Sequence, residues 1–367
     1  MNMDPQARFA APPPWQTSQQ RWPSLVVKRQ QIDAEIERLA DSALPSAGVR
    51  AAAINHPMNV GRIPTFSPST DVTIEVLKPG EESPPRARNA TALDICLRGS
   101  GIARVGRKEL RIERHDVWNT PAMVPHTWRN TGDDLLVRLT YSNLPLLDFM
   151  GVVYVDPHPQ MPDLNTEETD GIDLGARRAR DAAAPIPIGA DGADLRGYEW
   201  LVDIDRVDAK VLHWPWKEVS PHLGGLYAMD LRYSGRHLYL MYNPATGRLM
   251  GTTPVHFATI AKNPPGKIDR PHRHTSASIN YYLWGHGKST VEGERVEWEG
   301  GDLQFSAPGW ATHNHGSREQ GFVALTVQDH PLHLSMDSLM WQEELKGPVR
   351  HLGSAKGFQT NLQTVTT

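Results

Sequence analysis

Two short histidine clusters have the residue types and spacing for chemistry. They are Pro271-His272-Arg273-His274 and Trp310-Ala311-Thr312-His313-Asn314-His315. One residue separates His272 from His274. On a strand, alternate side chains share a face, so both imidazoles point the same way. Such a pair alone usually serves packing. A third histidine, His313, follows 39 residues after His274. On a neighbouring strand it completes a facial set of three neutral nitrogens. That set binds a metal and leaves its other side open to ligands.

The residues around these clusters must hold them in place. Tyr281-Tyr282-Leu283-Trp284 reads as a strand and Gly285-His286-Gly287 as a turn. Glu292-Gly293-Glu294 reads as a hairpin turn before the alternating Arg295-Val296-Glu297-Trp298, and Gly300-Gly301-Asp302 as another turn. Short strands separated by glycine turns predict a small antiparallel β-barrel.

The chain also repeats itself. An offset of 186 residues places Arg50 on Arg236, Pro79-Gly80 on Pro265-Gly266, Pro85 on Pro271 and Asp116 on Asp302. One further residue of slip places His126 on His313. Proline and glycine set backbone geometry, so shared punctuation predicts two barrels of similar build. The same alignment puts Arg86 and Arg88 where the second half has His272 and His274, and Trp128 where it has His315. A guanidinium has no lone pair to give a metal. The first barrel is therefore expected to lack a metal site and to serve structure or subunit contact.

This predicts an all-β dominated chain. Residues 1–48 form an arm and an amphipathic helix, the helix spanning Val26 to Leu44 with Ile32, Ile36, Leu39 and Ala43 inward. Residues 49–155 form the first barrel. Residues 156–200 form a Pro/Asp/Ala/Gly-rich linker, in which Leu174 to Ala184 suits one helix. Residues 201–335 form the metal-binding barrel and 336–367 a polar surface tail. A net charge of −4 argues against a nucleic-acid partner. No apolar run is long enough to span a membrane, and the first residues lack a signal-peptide core. One cysteine, Cys96, sits in an apolar run and reads as a core residue in a reducing cytoplasm.

His272-Arg273-His274-Thr275, Trp310-Ala311-Thr312-His313-Asn314-His315-Gly316, Trp214-Pro215-Trp216 and Asn243-Pro244-Ala245-Thr246-Gly247 together resemble the bicupin ring-cleaving dioxygenases of the gentisate, salicylate and 1-hydroxy-2-naphthoate type. The likeness runs from about Trp214 to His330. It implies two tandem cupin barrels, each a double-stranded β-helix or jelly roll. It implies one Fe(II), with Mn(II) as the other candidate, on His272, His274 and His313. The general cupin glutamate ligand falls in Ser278-Ile279-Asn280, which holds no carboxylate, as in the three-histidine members. The family binds its metal in the first barrel and carries an arginine where Asn280 stands; this chain departs on both points.

The resemblance further implies that Arg236 holds the substrate carboxylate. Its counterpart Arg50 supports a bracing salt bridge as the other reading. His315 would stand beside the metal and take the phenol proton or hydrogen-bond the oxygen. Asn280, Phe257, His256 and Trp310 are expected along the pocket, with core packing as the other role for Trp310. The implied reaction opens the ring of an ortho-hydroxy aromatic acid with O₂, between the carboxyl- and hydroxyl-bearing carbons. Salicylates such as 5-nitrosalicylate, gentisate and hydroxynaphthoate fit. The alternatives are another metal-dependent cupin enzyme, such as a hydroquinone or diketone dioxygenase or an isomerase, and a non-catalytic small-molecule-binding cupin. Bicupins of this type are often homotetramers, so a homo-oligomer is expected.

Overall fold

A computed structural model describes residues 21–164, 184–202, 210–224 and 238–353. Strands dominate, and two halves of matching build face one shared core.

The first half is a six-stranded sheet in the spatial order Arg50–Ile54, Asp71–Leu77, Leu136–Ser142, Ala92–Arg98, Val117–Thr120 and His213–Trp214. A three-stranded sheet of Lys108–Glu113, Ser100–Val105 and His126–Asn130 accompanies it. The second half has Leu238–Leu240, Phe257–Asn263, His313–Gln328, Ser278–Val291, Leu303–Ala307 and Leu25–Val27 in line, with Glu294–Glu299 hydrogen-bonded to Ser278–Val291. A small sheet of Arg273–His274, Met340–Gln342 and Arg350–His351 carries part of the metal motif.

The halves exchange a strand. Leu25–Val27, from the beginning of the chain, pairs with Leu303–Ala307 of the second half. His213–Trp214, from ahead of the second half, pairs with Val117–Thr120 of the first. One buried aspartate closes each exchange. The Asp302 carboxylate accepts from the Arg29 backbone N–H at 2.7 Å and from Lys28 Nζ at 2.9 Å. Asp116 accepts from the Trp216 backbone N–H at 2.6 Å, and its other oxygen lies 3.0 Å from His213 Nε2. Hydrogen bonding therefore crosses the expected divisions at residues 48 and 201.

The helix is Arg29–Asp41, and it buries Ile32, Ile36, Leu39 and Ala40. It begins later than expected because Val26 is claimed by strand pairing with Gln304. Its apolar stripe joins a single core cluster with Ile74, Leu93 and Leu139 of the first half and Ile260, Ile279 and Leu325 of the second. Burial of each such side chain contributes roughly 1.5–3 kcal/mol.

Three local expectations change. Gly285-His286-Gly287 is not a turn: Ser278–Val291 runs through it as one strand with register shifts. Gly285 has φ 88°, and a Cβ there would collide with the Gly321 carbonyl, so only glycine lets the bulged strands approach. The tail is not merely a cover, because Met340–Gln342 pairs with the His274 strand. The proposed helix Leu174 to Ala184 falls almost wholly outside the described residues. By contrast, Glu292 and Gly293, at φ 50° and 88°, make the predicted two-residue hairpin turn.

Replacing Asp302 by alanine should lower unfolding free energy by about 3 kcal/mol, since the Arg29 and Glu299 backbone N–H groups lose a charged acceptor. Chemical denaturation measures this. A loss within error would show that the strand exchange holds without the carboxylate.

Candidate metal centre and pocket

His272 and His313 lie directly opposite each other. Each donates its backbone N–H to the other's carbonyl, at 3.1 and 2.9 Å. His274 follows on the strand Arg273–His274. The three imidazoles are buried, and their ligand atoms all lie within 4.8 Å of one another. Each Nδ1 meets a backbone carbonyl two residues away: Arg270 at 2.9 Å, Ser276 at 2.8 Å and Ala311 at 2.9 Å. A carbonyl only accepts, so each Nδ1 carries the proton and each Nε2 carries the lone pair. Three neutral nitrogens converge, which fits a divalent transition metal. Trp341 covers the set, its ring 5.6 Å from His272 and 4.7 Å from His274.

These ligands line a cavity of about 350 Å³ together with Phe257, Asn280, His315, Gln328, His330 and Trp341. The equivalent cavity of the first half is about 430 Å³ and charged. There Glu75 meets Arg86 at 3.0 Å and Arg138 at 3.1 Å, and Arg138 meets Asp94 at 2.6 Å. Shifting by 186 residues turns Asp71 into Phe257, Glu75 into Ala261, Asp94 into Asn280 and Arg138 into Ala324. At these positions the second cavity has exchanged an ion-pair network for neutral side chains and three imidazoles; Asp269, which accepts from the His315 backbone N–H, is the carboxylate in its lining. Among the described residues, His272, His274 and His313 form the one cluster able to hold a metal.

No family model matches the chain. A 1-hydroxy-2-naphthoate 1,2-dioxygenase of Nocardioides sp. (strain KP7) is 25% identical over 73% of this chain and 65% of its own length. A 5-aminosalicylate 1,2-dioxygenase of Comamonas sp. is 22% identical over 80% of this chain and 75% of that protein. The structure of a salicylate 1,2-dioxygenase from Pseudaminobacter salicylatoxidans superposes with a TM-score of 0.69 at 17% identity, covering 89% of each chain. The chain is thus similar in sequence to 1-hydroxy-2-naphthoate, 5-aminosalicylate and gentisate 1,2-dioxygenases, and its fold is that of the salicylate dioxygenase bicupin. It spans about two thirds of the length of the first of these relatives.

In this bicupin the pocket wall is held by one hydrogen-bonded chain whose directions can be worked out. Ser24 Oγ donates to the Phe305 carbonyl at 2.7 Å, so it accepts from Gln304 Nε2. Gln304 Oε1 then faces Tyr282 Oη at 2.7 Å and Ser289 Oγ at 3.0 Å, and both must donate to it. Tyr282 in turn accepts from Asn280 Nδ2 at 3.2 Å. Ser289, its one proton used, accepts from Trp298 Nε1 at 2.9 Å and from His315 Nδ1 at 2.8 Å. His315 therefore carries its lone pair on Nε2. One N–H of Asn280 is engaged inside the wall, not by a ligand.

Two expected pocket residues lie elsewhere. His256 is buried between the halves, its Nε2 2.9 Å from Thr70 Oγ1. It points away because the strand that brings Phe257 to the cavity sends the preceding side chain to the opposite face. Trp310 adopts φ 63°, which turns its ring from the cavity and under the Arg273 guanidinium, 4.6 Å from its centroid. It lines a separate groove with Trp22 and Met340. Arg236 lies outside the described residues. Its first-half counterpart Arg50 makes a 2.7 Å ion pair with Glu81. Sequence reading missed Trp341, Gln328 and His330. Carrying the 186-residue shift into the tail would have flagged Trp341, because its counterpart Val155 bridges Arg88 as Trp341 pairs with His274.

Burial holds the His126 and His256 imidazoles down at about 3. Unfolded histidine takes a proton near pH 6.5. The folded form refuses that proton, so stability is complete above about pH 6.5 and falls as pH drops toward 3. Two such groups give a slope of about 2.7 kcal/mol per pH unit in the acid range. Urea unfolding at pH 7, 6 and 5 should show this decline. A flat profile would mean that these imidazoles are reached by water.

Proposed function

We propose that this protein is an Fe(II)-dependent dioxygenase that opens the ring of an ortho-hydroxy aromatic acid between its carboxyl- and hydroxyl-bearing carbons. The observation that carries the reading is the pairing of three neutral imidazoles with a cavity stripped of the charges its twin retains. With no carboxylate ligand, a bound divalent metal keeps its full charge, which suits a dianionic carboxylate–phenolate chelate. The names of the relatives point to the same substrate class: one acts on 5-aminosalicylate, one on 5-nitrosalicylic acid and one on gentisate.

His272, His274 and His313 would hold Fe(II), with Mn(II) as the other candidate. The metal supplies the redox chemistry with O₂, whose two atoms both enter the product. His315 Nε2 would take the phenol proton of the bound acid, its orientation set by Ser289. Phe257 and Asn280 position the ring, and the Arg236 guanidinium binds the carboxylate as a fork. Trp341 and the apolar wall keep water from the reacting carbons. The reading includes the cytoplasm as location, in keeping with the single buried cysteine. It also includes a homo-oligomer, dimer or tetramer, as in bicupins of this type.

Oxygen uptake by Fe(II)-reconstituted protein tests it on gentisate, salicylate, 5-nitro- and 5-chlorosalicylate, 1-hydroxy-2-naphthoate and hydroquinone. Uptake should require an ortho-hydroxy carboxylate. His272→Ala should abolish bound iron and cut uptake by more than the roughly 10- to 100-fold that losing a supporting residue costs. Uptake with hydroquinone alone would move the protein to another cupin class. Arg236→Ala should raise KM about 10- to 100-fold, the loss of a charged hydrogen bond. An unchanged KM would leave Arg236 with a bracing role.

A further inference from the structure

His330 begins the helix His330–Ser335, directly after the strand that ends at Gln328. It lines the metal cavity. Its ring packs 4.9 Å from Phe257 and 6.5 Å from Trp341, the residue that covers the metal ligands. No hydrogen bond to either ring nitrogen is formed among the described residues, and Nδ1 is fully enclosed. Nε2 is thus the nitrogen through which this imidazole can meet a ligand.

The fold does not require a histidine here. The corresponding helix of the first half, Leu144–Phe149, starts Leu-Pro where this one starts His-Pro. A leucine serves that helix start, so the imidazole is an addition specific to the half that holds the metal site. Its proton can also be assigned. An enclosed N–H without an acceptor is tolerated less well than an enclosed lone pair. The proton therefore sits on Nε2, directed to the cavity. Burial holds the imidazole down at about 4, so it stays neutral at physiological pH.

We propose that His330 is a specificity-determining residue: its Nε2–H donates a hydrogen bond to an oxygen on a ring substituent of the substrate, such as a hydroxyl or nitro group. The assignment rests on the ring-cleavage reading above, in which the carboxylate and phenolate oxygens are taken up by the metal. A neutral donor suits a neutral substituent oxygen. It gives an amino group no such acceptor.

The test is anaerobic calorimetry on Fe(II)-loaded protein with salicylate, gentisate, 5-nitrosalicylate and 5-aminosalicylate. His330→Leu, the residue of the twin helix, should weaken gentisate and 5-nitrosalicylate about tenfold, the worth of one hydrogen bond. Salicylate and 5-aminosalicylate should change by about twofold or less. His330→Gln, which keeps an N–H donor, should recover most of the loss. Equal weakening of all four acids, or none, would overturn the assignment while leaving the ring-cleavage reading intact. Failure of every acid to bind wild-type protein would overturn that reading and this assignment with it.

Discussion

The metal site depends on one reciprocal pair of backbone hydrogen bonds, between His272 and His313. Two residues that exchange both N–H···O=C bonds stand directly opposite each other on antiparallel strands. Their side chains leave the same face, and His274, two positions on, joins them. Everything else about the ligands is orientation. Three carbonyls, each two residues from its histidine, fix the proton on Nδ1 and aim Nε2 inward. The nearby carbonyls aim the rings, and pairing with Met340–Gln342 holds the strand that carries His274.

The contrast between halves explains why only one of them suits a metal. In the first, the buried Arg138 and half-buried Arg86 guanidiniums pair with the buried carboxylates of Glu75 and Asp94, and the Arg138 guanidinium lies 2.8 Å from the centre of the Trp128 ring. Such a network is stabilising only when complete, because one unpaired charge in that interior costs several kcal/mol. It lines its cavity with its own ions. The second half has alanine, phenylalanine and asparagine at those positions, which leaves Asp269 as the carboxylate beside the three imidazoles. A shared apolar core and two exchanged strands hold the charged half against the neutral one.

The same economy appears in the wall behind His315. Two serines, a glutamine, a tyrosine and a tryptophan form one chain whose hydrogen-bond directions follow from a backbone carbonyl at Phe305. This network delivers both His315 and Asn280 in one orientation.

Much of this was legible in the order of residues. His-x-His with a third histidine specifies a metal because alternation on strands is a local rule. The 186-residue repeat revealed two like halves because glycine and proline report backbone geometry wherever they stand. Asp302 and Asp116, Glu292-Gly293 and the inward face of the helix at Ile32, Ile36 and Leu39 follow from equally local constraints. Other features were set by non-local pairing. Leu25–Val27 and His213–Trp214 cross to the opposite halves, which no periodicity encodes. Trp341 reaches the cavity because the tail folds back onto the His274 strand, and His330 because its helix starts where the strand His313–Gln328 ends. His256 and Trp310, adjacent in sequence to pocket elements, are turned away by strand alternation and by a left-handed backbone angle. Local spacing determined the ligands and their chemistry; tertiary packing decided which neighbours see them, since burial and facing depend on contacts hundreds of residues apart.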